Sequence, residues 1–155
     1  METTENQAIL KDLVQITNDR ITAFEKVEGK IWESYPDIKS DYDKMITQSK
    51  IMKNELIDIL RENEKEYDSD SSTIRGNLHS TWIDIKNAFQ ISSVNSTLEN
   101  VVAGEKAAVD SYREALKNHD FTSSTKKILE DHLHDLTQSY EQFEKTLQYR
   151  KNDHK

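Results

Sequence analysis

Cysteine is absent from this chain, and one proline and three glycines are all the turn-making punctuation its 155 residues carry. Without cysteine there is no disulfide, no thiol nucleophile and no thiolate metal site. So few prolines and glycines leave hardly any places for strands to reverse. No stretch approaches the roughly 18 apolar residues that a spanning helix needs. The opening residues, METTENQAILKDL, lack a basic region followed by an apolar run and do not read as a secretory signal. Gly29, Gly76 and Gly104 are too scattered to make a phosphate-cradling loop, and nothing resembles a nucleophile turn. The 21 basic residues are outnumbered by 29 acidic ones, giving a net charge of −8 with no Lys/Arg block. Such a surface repels nucleic-acid phosphates and anionic lipid, so neither is an expected partner. A soluble, cytoplasmic protein is the expectation.

What is present is charge and helical period. Hydrophobic residues are 34% and charged residues 32% of the chain. That balance fits long amphipathic helices with one buried stripe and wide solvated faces, four or five of them packed as a single domain over residues 1–155. In the first helix, expected over 5–33 with a Thr4/Gln7 capping box, Leu10, Leu13, Val14, Ile21, Phe24, Ile31 and Trp32 draw the stripe, with Thr17 on it. Pro36 closes that segment and opens a second helix over 37–66, striped by Ile38, Tyr42, Met45, Met52, Leu56, Ile59 and Leu60. An acidic, serine-rich loop follows. A short connector helix over 74–89 carries Ile74, Leu78, Trp82, Ile85 and Phe89 across the bundle. The next helix spans 96–117, opened by a Ser96/Glu99 capping box and closed by Asn118 in a left-handed conformation. The last, capped by Asp120 or Thr122, runs over 122–149 on Leu129, Leu133, Leu136, Tyr140, Phe143 and Leu147, with a frayed tail over 150–155. The fold class is all-α: an antiparallel four-helix bundle with a fifth connector helix between helices 2 and 3, as in bundles of the ferritin type.

One residue offends the pattern. Leu98, Val101, Val102, Ala108, Val109, Tyr112 and Leu116 share a stripe, and Glu105 lies within about 20° of its centre. A carboxylate turned into a helical core needs a partner, a proton or a metal, and without a cation burial raises its pKa. Glu28 and Ser49 also lie mid-stripe, with Glu25, Gln48 and His132 on the flanks. Counting residues about the turns places Glu105 level with Asp135 and Leu136, and Glu25 level with Gln48. The expectation is therefore a buried polar layer of Glu25, Glu28, Gln48, Ser49, Glu105 and His132 that fixes helix register.

The sharper alternative is a two-metal carboxylate site. Bundles of that kind take a Glu from each of two helices and Glu-x-x-His from the other two, because residues three apart share a face. Glu25, Glu28, Glu105 and His132 are the candidate ligands, and iron or manganese the candidate ions. The donor set falls short. No histidine precedes His79, and Asp131 and His134 point away from the last helix's stripe. No metal or cofactor and no catalytic residue is therefore assigned.

Three stretches carry a family resemblance: Asn18-Asp19-Arg20-Ile21 with Phe24-Glu25-Lys26; Gly76, Leu78, Trp82, Asp84 and Lys86; and Gly104-Glu105 with Tyr112 and Ala115-Leu116. Over about residues 8 to 148 the chain resembles a bacterial family of four-helix-bundle proteins of unknown function, related to ferritin-like folds. The family often has Tyr where this chain has Phe24. It carries a His late in the last helix where Tyr140 stands here, which weakens a metal assignment further. The resemblance implies a ferritin-like bundle in a bacterial cytosol and no established activity. The functional expectation is a non-enzymatic bundle acting by self-association, as a dimer, or by binding another protein. A stress-related role follows from the family analogy alone.

Overall fold

The computed structural model describes residues 2–34, 39–63 and 94–153. The side chains of residues 23–24, 26–34, 94–97 and 150–153 fall outside that description. The described residues form four helices and no strand: α1 (Thr4–Ser34), α2 (Lys39–Asn63), α3 (Val94–Asn118) and α4 (Ser123–Asp153). The expected connector over 74–89 lies outside the described residues.

Several expected ends move. The α1 cap sits one residue before the expected box: Thr3 Oγ1 accepts the Asn6 amide at 3.0 Å and Thr3 O accepts the Gln7 amide at 2.9 Å. Gln7 instead reaches back to the Glu2 carbonyl at 3.0 Å. Helix α3 begins at Val94, so Ser96 is inside it rather than at its cap. Asn118 is the last residue of α3, yet no described non-glycine residue has positive φ, so the left-handed stop is not used. Thr122 caps α4, its carbonyl accepting the Lys126 amide at 2.8 Å. Helix α4 then continues to Asp153, past the expected end at 149.

Each helix packs on two others. Helix α1 lies against α2 and α3, and α4 against α3 and α2, the α2–α4 seam being the thinnest. Side-chain pairs fix the directions. The Glu2 amide donates to Asn63, and Lys50 meets Glu25, so α1 and α2 are antiparallel. Asn6 reaches the Asp120 carbonyl while Arg20 reaches Glu105, so α1 and α3 are antiparallel too. Tyr112 meets His132 and Ser139 meets Glu105, which reverses α4 against α3. Helices α2 and α3 consequently run the same way. The chain leaves α2 at one end of the bundle and enters α3 at the other, unlike a simple up-down-up-down bundle.

The apolar stripes meet in two clusters. The larger gathers Leu10, Leu13, Leu56, Leu60, Val109, Tyr112, Leu129 and Leu136, among others. The smaller joins Tyr42, Met45, Leu98, Val101 and Phe143, with Tyr42 edge-on to Phe143 at 5.1 Å between ring centres. Polar side chains from all four helices meet at this smaller cluster, with Met45 common to both.

Candidate functional site

Glu105 is fully buried, on the stripe of α3. Its partner is Arg20 of α1, 2% exposed. The guanidinium grips the carboxylate with two nitrogens: Nε donates to Oε1 at 2.5 Å and Nη2 to Oε2 at 2.7 Å. The fork matches the carboxylate's geometry, which a lysine ammonium could not do. Ser139 of α4 donates a third hydrogen bond to Oε2 at 2.5 Å. On the far side of the guanidinium, Nη1 donates to Ser49 of α2, and Nη2 also contacts the Met45 sulfur. The Ser49 hydroxyl donates its own hydrogen bond to the Met45 carbonyl at 2.8 Å. Each helix thus contributes to one sealed group whose positive and negative charges cancel. Taking two ions out of water is tolerable only with such complete pairing.

A second polar chain lies nearer the α2–α4 surface. His132 is 3% exposed. Its Nδ1 is 2.9 Å from the Tyr112 hydroxyl and its Nε2 3.3 Å from Glu55. A carboxylate can only accept, so the neutral tautomer that satisfies both contacts carries its proton on Nε2 and accepts a hydrogen bond from the Tyr112 hydroxyl at Nδ1. Burial pushes the His132 pKa down and outweighs Glu55, Asp135 and Asp131, which pull it up. Burial likewise raises the Tyr112 hydroxyl far above its usual value, and it raises Tyr42 too, helped by the charge on Glu105. Neither phenol is a proton source near neutrality.

A third group ties the bundle's end. Glu2 Oε2 accepts from the Thr122 hydroxyl at 2.5 Å, and Oε1 accepts from the Thr122 amide at 3.2 Å and the Asn6 side chain at 3.3 Å. Burial alone would raise the Glu2 carboxyl, but hydrogen bonds from Thr122, Thr125 and Asn6 outweigh it and hold the pKa below its ordinary value.

Of the six residues expected in a polar layer, Glu105 and Ser49 meet at Arg20, and His132 is buried in a separate chain with Tyr112. Gln48 is half-buried at the α2–α4 seam. Glu25 is not in the interior. It is 50% exposed and faces Lys50 at 3.5 Å. The Glu28 side chain lies outside the described residues. Asp131 and His134 are exposed. The α3–α4 register also differs: Glu105 meets Ser139, not Asp135 or Leu136. The reason is the tilt of Cα–Cβ bonds toward each helix's own N-terminus. On α3 that tilt leads away from the turn and on α4 toward it, so contacting residues lie about one turn beyond the level pair.

Arg20 is the residue that periodicity passed over as a partner. It stands seven positions after Leu13 and three after Thr17, on the same side of α1. A basic residue there ordinarily reads as a long side chain reaching for water. A buried carboxylate in need of a cation is the signal that could have reversed that reading.

Among the described residues no three His, Asp or Glu side chains gather as a metal-holding group. Nor do the three described candidates, Glu25, Glu105 and His132, fit a ferritin-type centre. Glu105 is already matched to a protein cation, Glu25 is outside, and His132 has both nitrogens engaged.

The described part of the molecule is thus all helix, its four helices closing over a sealed Arg–Glu pair. The chain belongs to the family described as Domain of unknown function (DUF2383), whose profile matches residues 5–118. The match takes in α1, α2 and α3 and stops before α4, the helix that brings Ser139 and His132. No curated protein and no solved structure matches the chain.

Proposed function

We propose that this chain is a single-domain, ferritin-like bundle of bacterial cytoplasmic type in which an arginine stands where relatives of that architecture hold a cation. Its role is association, with a second copy or with another protein, rather than catalysis. The observation that carries this reading is the two-pronged Arg20–Glu105 pair, closed over by Ser49 and Ser139. A carboxylate whose charge is already matched by a guanidinium and a hydroxyl holds a metal ion only weakly unless it first loses its arginine. The same-direction run of α2 and α3, which calls for a crossover, supports the ferritin-like architecture. A place in stress physiology rests on the family analogy.

The competing reading is a metal protein with an altered ligand set, holding iron or manganese. The two separate on protein purified without chelator. Under the association reading, elemental analysis finds less than one iron or manganese per ten chains, Glu105→Ala leaves that figure unchanged, and light scattering finds a species larger than a monomer or a co-purifying protein. Stoichiometric metal that disappears with Glu105→Ala would overturn it. So would a strict monomer at every concentration with no protein partner.

A further inference from the structure

The seam between α2 and α4 is the thinnest of the four helix contacts, and it opens into a trough. A hollow of about 530 Å³ lies there, floored by Met52 and flanked by Ile51. A smaller hollow continues it past Met45 and Phe143, the two sharing Lys44, Gln48 and Asp135. From Asp41 to Glu55 the trough is about 21 Å long, at 1.5 Å of rise per residue. Ile51 is 56% exposed on its rim. Four carboxylates line it, those of Asp41, Asp43, Glu55 and Asp135, against the single ammonium of Lys44. Glu55 is held in place by His132 behind it.

We propose that this trough receives an amphipathic helix of a partner protein, with apolar residues on one stripe and lysine or arginine beside it. The inference rests on the association reading above and supplies its surface. Two antiparallel helices present a groove into which a third packs by its side-chain ridge. The unbranched, sulfur-bearing side chain of Met52 makes the floor of the larger hollow adaptable. The acidic rim selects a basic flank and repels another copy of a chain whose own net charge is −8. A small ligand would stay largely uncovered in a hollow open along its length, whereas a helix of about four turns fills it.

The test uses the full chain and a synthetic peptide of about 18 residues, with leucines at i, i+3, i+4 and i+7 and lysines flanking them. A second peptide of the same composition has its order scrambled. Calorimetry follows binding, and amide NMR shifts map it. The ordered peptide binds, shifting amides of α2 and α4. Ile51→Glu and the pair Asp43→Lys/Asp135→Lys each weaken it about tenfold or more, as does scrambling, while Glu130→Lys on the exposed face of α4 does not. Asp43, Ile51 and Glu130 are exposed and Asp135 is half-buried, and circular dichroism checks that each variant is folded. Equal binding of the scrambled peptide, or indifference to Ile51→Glu, overturns the proposal. If Ile51→Glu instead dissociates a dimer of the free protein, the trough is an interface between copies; that sinks the basic partner helix and leaves the association reading standing. Stoichiometric metal in the purified protein would fail that reading whatever the peptide does.

Discussion

Two of the buried polar groups, the Arg20–Glu105 pair and the His132–Tyr112 chain, are built on opposite terms. Arg20 and Glu105 are both charged, both sealed, and matched atom for atom by each other and by Ser49 and Ser139. His132 and Tyr112 are neutral, and their chain ends at Glu55, whose side chain is 44% exposed. The contrast shows how a low-dielectric interior accepts polar atoms. A charge is tolerated when its counter-charge is fixed by the fold, and a titratable ring is tolerated when it gives up its charge. The first arrangement is strong only as a pair; the second answers to the solvent.

Breaking the sealed pair gives the largest effect. Glu105→Ala strands the Arg20 guanidinium and is expected to lower unfolding stability by about 3–5 kcal/mol, measured by urea denaturation. The double variant Arg20→Met/Glu105→Leu removes both charges together and is expected to regain most of that loss. A double variant as unstable as the single one would mean that packing volume, not charge matching, is what this group supplies.

A smaller effect is expected from the neutral chain. Tyr112→Phe removes one hydroxyl and leaves His132 Nδ1 without its donor, which costs about 1–3 kcal/mol for an unsatisfied buried group. The same denaturation series ranks it against Glu105→Ala. If the two are equal, the distinction between charged and neutral groups fails.

The smallest effect is the pH dependence of that chain. Burial depresses the folded pKa of His132 below its ordinary 6.5. Below pH 6.5 the unfolded chain gains a proton there that the folded chain refuses. The stability tied to this group is thus complete above 6.5 and is lost as the pH falls through the folded value. Tyr112 on α3, Glu55 on α2, and Asp131 and Asp135 on α4 are the titratable groups around the ring. His132→Gln keeps an acceptor and a donor in place, so the difference between the two pH–stability curves should slope below 6.5 and lie flat above it. Glu2, with its pKa held below 4.5, contributes its own loss only in the more acid range. A flat difference throughout would remove the His132 assignment.

The stripes made most of the helical architecture readable. Glu105, Ser49 and Thr17 fall at core positions because helical period alone puts them there, and each is buried. Pairing was harder to read. Arg20 lies on its stripe as plainly as Thr17, but whether a long cation turns inward depends on what faces it 85 residues away. Glu25, about 60° from the stripe's centre, could as easily have met the core as Lys50. Wheel angles near that boundary do not decide between inside and outside. Caps were displaced for a similar reason: Thr3 and Thr4 are chemically alike, and the hydrogen bonds of Glu2 and Gln7 select the first.

The 85 residues that separate Arg20 from Glu105 also set an order of events. A ribosome releases α1 and α2 long before α3, so the early hairpin carries the Arg20 guanidinium with no carboxylate to meet it. A guanidinium without that counter-charge keeps its water, so the pair is sealed only when α3 brings Glu105 and α4 lays Ser139 over it.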